Sequence, residues 1–174
     1  MLSQKIQDAL NAQINAELLA SYKYLAMAAY FESENLPGCA NWMHIQSQEE
    51  RTHAMKFYTY INNRRGRVLL HPLDGPKNEW SSVLEVFEAA LKHEQMVTGM
   101  INNLMDLAIT ERDHATQSFL KWFVDEQVEE EANVDAVIQD LKRIGDSAQG
   151  LFILDRELGG RQAEADEGAA EGEE

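Results

Sequence analysis

The stretch QSQEERTHAMKF, residues 46–57, predicts an α-helix with charged groups on a face that should be buried. Glu50, His53 and Phe57 are spaced three and four residues apart, so they share one side of that helix. The Cβ atoms of Glu50 and His53 would lie about 5–6 Å apart. Burial of a charged group is costly unless the group is paired or bound to a metal ion. The stretch therefore predicts a core helix that contributes ligands to a cation.

Three other segments carry the same anomaly within a hydrophobic pattern of helical period. The polar groups in register with these patterns are Glu17, Glu94, and the pair Gln127 and Glu130. The last two are three residues apart, as are the carboxylate and imidazole of the first stretch. A single motif of this kind occurs by chance. Four such groups on four helices predict a pocket for hard cations inside a helical bundle.

The hydrophobic pattern predicts an all-α chain. The predicted helices run approximately over Ser3–Ser33, Cys39–Arg65, Ser81 or Ser82 to Ile109, Asp113–Ile144 and Ser147–Leu158. Asn35, Pro37 and Gly38 break the pattern after the first helix, and Gly66 ends the second. The predicted fold is a four-helix bundle with a short fifth helix at its C-terminal end.

Loop lengths predict the topology of this bundle. The connections after the first and third helices are only a few residues long, so each of these helices is antiparallel to the next. The connection over about 66–80 is roughly 15 residues long and can span up to roughly 50 Å when extended. A helix of about 27 residues is roughly 40 Å long. One long crossover can therefore make the second and third helices parallel.

Composition limits the classes of function. The 174 residues carry a formal net charge of −15, which disfavours binding to nucleic acid or to an anionic membrane and favours cations. The single cysteine, Cys39, excludes an internal disulfide and a Cys-rich metal cluster. No signal peptide or membrane span is visible, which predicts a cytoplasmic protein. We expect one domain over 1–159 and a disordered acidic tail over 160–174.

The ligand types predict the metal. Di-iron and di-manganese bundle proteins use one Glu from each of two helices and Glu-x-x-His from the other two. Here Gln127 and Glu130 stand in the second Glu-x-x-His motif. Oxygen-rich ligation with a single histidine, His53, suits Fe(II) or Mn(II) better than a closed zinc site. Tyr24, two turns after Glu17, would hydrogen-bond a metal ligand, give up an electron, or pack as a core residue.

A second group of acidic residues accompanies the first. Its members are Glu49, Glu126, Glu129 and Glu130, with Glu131 next to them in sequence. Like charges three and four residues apart destabilise a helix, so a cation would compensate them. The alternative is a solvated acidic face.

These motifs resemble those of the ferritins, most closely the bacterial non-haem type. The resemblance covers about residues 1–158 and rests on Ala16–Leu18, Tyr24, Gln48–Ala54, Leu91–Glu94 and Trp122–Glu131. It implies a ferroxidase that oxidises Fe(II) with O2 or hydrogen peroxide and stores Fe(III) as mineral inside a homo-oligomeric shell of 24 subunits. The implied catalytic residues are Tyr24, Glu50 and Gln127.

The same resemblance implies specific metal ligands. Glu17, Glu50 and His53 would hold the first iron, and Glu50 would bridge to a second iron completed by Glu94 and Glu130. A third iron would be held by Glu49, Glu126, Glu129 and Glu130. Bacterioferritins have His at the position of Glu130 and a haem-ligating Met at that of Arg51, so the resemblance implies no haem. The alternatives are a di-manganese or di-iron oxygenase or catalase and a metal-free structural bundle.

Overall fold

The computed structural model of the chain describes residues 2–163, and these residues form five α-helices without a β-strand. The helices are α1 (Gln4–Ser33), α2 (Pro37–Asn63), α3 (Val83–Thr110), α4 (His114–Ile144) and α5 (Ala148–Leu158). The predicted fold class is therefore confirmed. The tail that was predicted to be disordered lies, from residue 164 onward, outside the described residues. Among the five helices none is long and apolar enough to cross a membrane.

Local sequence signals fix the ends of the helices. The side chains of Ser3, Ser82 and Ser147 each accept a hydrogen bond from a backbone N–H three residues later, which caps α1, α3 and α5. The helix α2 begins at Pro37, two residues earlier than predicted, because proline is well suited to the first helical position. The same helix ends at Asn63, two residues before the predicted last residue Arg65. Arg65 itself takes the left-handed conformation (φ 59°).

Contacts along α1 establish the direction of its neighbours. The Ser21 hydroxyl donates to the Ser47 carbonyl oxygen at 2.7 Å, near the middle of both α1 and α2. Lys5 near the start of α1 pairs with Glu111 just after α3, and Phe31 near its end contacts Phe87 near the start of α3. The helix α1 is thus antiparallel to α3. It is antiparallel to α2 as well, because only three residues join them, so α2 and α3 are parallel, as predicted.

The segment 64–82 crosses the length of α1. The Asn11 side chain bonds the backbone of Arg67 and Leu69 near the start of α1. At the other end of the same helix, the Trp80 ring packs edge-on against the Tyr30 ring, 5.3 Å between centroids. The long crossover that was predicted from loop length is therefore confirmed.

The apolar core is divided into two halves along the bundle. One half contains Phe31 of α1, Met43 of α2, Phe87 of α3 and Val134 of α4. The other contains Ile6, Leu10 and Ile14 of α1, Phe57 and Ile61 of α2, Ile101 of α3 and Phe123 of α4. On each of these helices the residues between the two halves include buried polar side chains. The fold thus places one polar layer at a single level between two apolar regions.

The helix α5 is fixed against the start of α2. The Asp155 carboxylate accepts a hydrogen bond from the backbone N–H of Cys39 at 2.9 Å and so caps α2 from outside that helix. The backbones approach so closely that a Cβ atom on Gly38 would lie 1.5 Å from the carbonyl oxygen of Asp155. Only glycine fits at this contact without a shift of α5.

We predict that Gly38→Ala lowers the thermal stability of the protein. The added methyl group must push α5 away, and overpacking of this kind costs typically about 1–3 kcal/mol. Gly99→Ala is the matched control, because Gly99 also lies in a helix and has open space around its Cβ position. Alanine should stabilise α3 there by roughly 0.5–1 kcal/mol. Thermal denaturation followed by circular dichroism distinguishes the two shifts; equal midpoints in both variants would contradict the prediction.

Candidate metal centre

The polar layer of the bundle brings together ligand-type side chains from all four long helices. These are Glu17 of α1, Glu50 and His53 of α2, Glu94 of α3, and Gln127 and Glu130 of α4. Each is at most 4% exposed. The residues that were singled out from four separate hydrophobic patterns thus lie in one layer. Tyr24, only 1% exposed, belongs to the same layer.

A first group of possible ligands is formed by α1 and α2. One ligand atom each from Glu17, Glu50 and His53 lies within 4.8 Å of the other two. His53 Nδ1 is 3.5 Å from Glu50 Oε2. Gln13, one turn before Glu17, donates from its amide nitrogen to Glu17 Oε1 at 2.8 Å and orients that carboxylate. Three ligands that converge in this way can hold one metal ion.

A second group joins α2 to α4. Ligand atoms of His53, Glu126 and Glu130 also lie within 4.8 Å of one another. His53 Nε2 is 3.8 Å from Glu126 Oε1. The Gln46 amide donates to Glu130 Oε2 at 2.8 Å. His53 is therefore shared by the two groups, with its two ring nitrogens facing different carboxylates.

Glu94 lies beside these groups and belongs to neither. The Tyr24 hydroxyl donates a short hydrogen bond to Glu94 Oε1, and the Gln127 amide nitrogen is 3.3 Å from Oε2. The negative charge of Glu94 contributes to the raised pKa values of Glu50 and Glu130. Glu94 is thus electrostatically part of the cluster, and Tyr24 and Gln127 orient its two oxygens.

The cluster lacks the counter-charges that buried acids need. Glu17 Oε2 and Glu50 Oε2 are buried and accept no hydrogen bond from the described residues. Among residues 2–163, no lysine or arginine forms an ion pair with Glu17, Glu50, Glu94 or Glu130. A metal-free core of this composition is electrostatically unfavourable. Carboxylate oxygens and one imidazole are a suitable ligand set for Fe(II) or Mn(II).

Burial raises the pKa of the four buried glutamates of the cluster. Loss of hydration raises the pKa of Glu17 to about 7 and, together with the charge of Glu94, that of Glu130 to about 8. Loss of hydration also raises the pKa of Glu94, and that of Glu50 well above its ordinary value, where Glu94 and Glu17 add repulsion. The metal-free cluster therefore retains protons at neutral pH, and a bound cation would displace them.

Comparison with known proteins identifies the family of the chain. A family model described as Ferritin-like domain matches residues 7–144. The chain belongs to the ferritin family. It is 46% identical over 167 residues to a bacterial non-heme ferritin of Staphylococcus saprophyticus, covering 96% of this chain and 100% of that protein. A bacterial non-heme ferritin of Staphylococcus aureus is 45% identical over 161 residues, covering 92% and 97%.

Solved ferritin structures agree with this assignment. An open pore ferritin from Archaeoglobus fulgidus is 46% identical with a TM-score of 0.92, covering 92% of this chain and 98% of that one. A closed form of the A. fulgidus ferritin, engineered by mutagenesis, is also 46% identical, with a TM-score of 0.93 and coverage of 94% and 100%. The resemblance deduced from the sequence motifs is therefore confirmed at the level of the family.

The acids of the predicted third set of ligands have different neighbours in the described structure. Glu49 Oε2 forms an ion pair with Arg161 Nη2 at 2.8 Å, while Glu126 lies near His53. Glu129 is exposed, and within the described residues it forms no hydrogen bond or ion pair with the cluster. Arg161 itself packs over the Trp42 ring, with 4.6 Å between its Cζ atom and the ring centroid. A cation from the C-terminal segment thus occupies part of this acidic region.

Three residues that contact the predicted ligands were not singled out from the sequence as site residues. Gln13, Gln46 and Arg161 each contact a predicted ligand. Gln46 lies on the predicted buried face of α2, and Gln13 lies one turn from Glu17, so a buried amide near an acid was the available signal. Arg161 had no such signal, because its contact with Glu49 depends on how α5 returns to α2.

We predict that the metal-free protein loses stability as pH rises from about 4.5 to 8. In this range the folded state holds more protons than the unfolded chain, since the pKa of Glu17 is raised from 4.5 to about 7 and that of Glu130 to about 8. The stabilisation is complete below pH 4.5 and is lost as pH rises through these values, by up to about 1.4 kcal/mol per pH unit for each proton.

Thermal denaturation of the chelator-treated protein across this pH range measures how the free energy of unfolding changes with pH. Glu17→Gln should reduce the slope, whereas Glu32→Gln, the same change at an exposed position of α1, should leave it unchanged. A divalent cation in excess should abolish most of the dependence. A stability that is flat or rises with pH in the metal-free protein would contradict the prediction.

Proposed function

We propose that this ferritin stores iron and that its polar layer is a di-iron ferroxidase centre. The observation that carries the proposal is the uncompensated cluster of buried carboxylates. Two ferrous ions bring four positive charges, which match the four carboxylates Glu17, Glu50, Glu94 and Glu130 in their ionised state. The Oε2 atoms of Glu17 and Glu50, which lack a partner among the described residues, would then coordinate a metal ion. Iron is the substrate at this site.

Each side chain has a separate role in the proposed centre. Glu17 and His53 would bind the first iron, Glu94 and Glu130 the second, and Glu50 would bridge them. This assignment is supported by the convergence of Glu17, Glu50 and His53 and by the electrostatic coupling of Glu94 with Glu130. Gln127 would hold Glu94 in position through its amide.

Tyr24 is proposed as the second residue that positions Glu94. Its hydroxyl donates to this carboxylate, and its ring is buried between α1 and α3. Burial and the charge of Glu94 raise the pKa of Tyr24 well above its ordinary value, so the phenol keeps its proton. It can therefore act as a donor to Glu94 throughout the reaction.

The proposed chemistry is a two-electron reduction of the oxidant by two metal ions. Each Fe(II) gives one electron. With two protons taken up, the pair reduces O2 to hydrogen peroxide or hydrogen peroxide to water. Carboxylate ligands favour Fe(III) over Fe(II), because the more highly charged ion gains more from anionic oxygens. The ligand set thus provides part of the driving force for oxidation.

Storage requires an enclosed cavity, and we propose a homo-oligomeric shell of 24 subunits, with a mass of about 470 kDa for chains of 19.7 kDa. Large apolar side chains are exposed on this single chain, among them Phe152 and Ile153 of α5 and Val128 of α4, which supports burial between subunits. The acidic composition supports an iron-binding protein without nucleic acid or an anionic membrane as a partner, and we propose a cytoplasmic location.

We predict a fast phase of oxidation that ends at two Fe(II) per chain when metal-free protein is mixed with Fe(II) in air. Glu50→Ala and Glu94→Ala should each slow this phase at least about tenfold, because each removes a ligand. Stopped-flow absorbance of the Fe(III) product measures both rate and stoichiometry.

Glu88→Ala is the matched control, since Glu88 is an exposed glutamate on the same helix as Glu94. It should oxidise iron like the parent protein. Full-rate oxidation in Glu50→Ala and Glu94→Ala would refute the proposed centre, and a metal-free structural bundle would show no fast phase at all. Retention of the oxidised iron in the particle distinguishes storage from an oxygenase or catalase.

A third iron at the acidic residues next to the centre would compete with Arg161. The guanidinium group lies 2.8 Å from Glu49 Oε2 and contributes to the electrostatics of Glu130. A cation that uses Glu49 must therefore displace this group or share the carboxylate with it. We propose that Arg161 weakens the third site more than the first two, because it pairs directly only with Glu49.

We predict that Arg161→Gln tightens binding of a third divalent ion severalfold, because a like charge is removed from the site. Anaerobic calorimetric titration with Fe(II) measures each binding step. Arg156→Gln, on the exposed side of α5, is the matched control and should bind like the parent. Unchanged third-ion affinity in Arg161→Gln would exclude the competition.

A further inference from the structure

A cavity separate from the ligand cluster opens between α1, α3 and the end of the crossover. Its volume is about 400 Å³, within the range of small-molecule sites, and it is partly open to solvent. Its walls are mostly apolar, and they include Met27, Met96 and the Trp80 ring. Methionine sulfur and indole both make favourable contacts with flat aromatic groups. The shape and the lining therefore suit a small planar molecule.

The polar groups of this cavity are all potential donors. They belong to the lining residues Lys23, Lys77, Lys92, Trp80 and His93. No carboxylate is found among the described residues that line the cavity. Lys77 is paired with Glu85 at 2.7 Å, whereas within residues 2–163 neither Lys23 nor Lys92 forms an ion pair. In a chain with a net charge of −15, this is a local concentration of positive charge.

Two of these donors are buried and without a partner. His93 is 7% exposed, and its Nε2 atom has no hydrogen-bond partner among residues 2–163. The Nε1 atom of the half-buried Trp80 is also buried and lacks a partner among these residues. Lys23 Nζ lies 3.3 Å from His93 Nδ1. An ammonium group can only donate, so Nδ1 is the acceptor and the ring proton is on Nε2. Buried N–H groups without acceptors are costly, so a small rotation of either ring toward an acceptor in the cavity would be favourable.

The geometry points to a binding site for a small planar aromatic anion between α1 and α3. The ring of the ligand would lie against Met27, Met96 and Trp80, and its anionic oxygens would accept from His93 Nε2, Trp80 Nε1 and the two lysines. An aliphatic ligand would make poorer contacts with the Met and Trp side chains, and an uncharged ligand would not pair with the lysines. A peptide or a protein surface fits a cavity of this size less well than a single ring system.

The site lies next to the proposed metal centre but does not depend on it. The His93 ring meets the Tyr24 ring edge-on, with 6.4 Å between centroids, and Tyr24 bonds Glu94 on its other side. None of the cavity-lining residues is among the proposed iron ligands. The binding test is therefore independent of iron oxidation.

Calorimetric titration of the full-length protein with 2-naphthoate tests the proposal, with 2-naphthamide as the uncharged molecule of the same shape. We expect one saturable 2-naphthoate site per chain, with at least tenfold weaker binding of 2-naphthamide. Inorganic phosphate should not displace 2-naphthoate at equal concentration. Equal affinity for the two naphthyl compounds, displacement by phosphate, or binding that does not saturate would each overturn the proposal.

Variants locate the site. Lys92→Gln should weaken 2-naphthoate binding severalfold, and Lys92 is exposed, so folding is not at risk. Trp80→Phe keeps an aromatic wall but removes the N–H, so it should weaken 2-naphthoate more than 2-naphthamide. Lys142→Gln, an exposed lysine of α4 outside the cavity, is the matched control. Unchanged affinity in both Lys92→Gln and Trp80→Phe would overturn the assignment to this cavity.

Discussion

The burial of four carboxylates at one level of a helical bundle is the constraint on which the rest of the structure depends. Buried acids repel one another, and no lysine or arginine among the described residues forms an ion pair with them. The layer is kept in place by the two apolar halves of the core on either side of it. Their packing supplies the favourable free energy that a charged cluster cannot supply for itself.

The side chains around the cluster orient its acids without neutralising them. Gln13, Gln46 and Gln127 each donate an amide N–H to a glutamate, and the Tyr24 hydroxyl donates to Glu94. Neutral donors fix the direction of an oxygen and leave its charge available. A lysine or arginine in the same place would hold the carboxylate as an ion pair and compete with a metal. Amide donors therefore leave the negative charge of these carboxylates free to attract an added cation.

Most of the fold and the centre of the site could be predicted because both follow from short-range periodicity. Glu50 and His53 share a face of α2 whatever the tertiary structure, and the long crossover follows from the number of residues between α2 and α3. The start of α2 was predicted two residues late, because Pro37 and Gly38 were taken as breakers. Pro37 instead forms the first helical residue, and Gly38 allows the close approach of α5.

The sequence by itself determined which helix faces carry acids, how the four long helices connect, and the family to which they belong. Helical period and loop length are local properties, so residue order specifies them. Tertiary structure alone decided that His53 is shared by two ligand groups, that Arg161 reaches Glu49 and that Lys23 meets His93. Those contacts join residues far apart in the chain. Their distances depend on how helices pack, which no spacing in the sequence encodes.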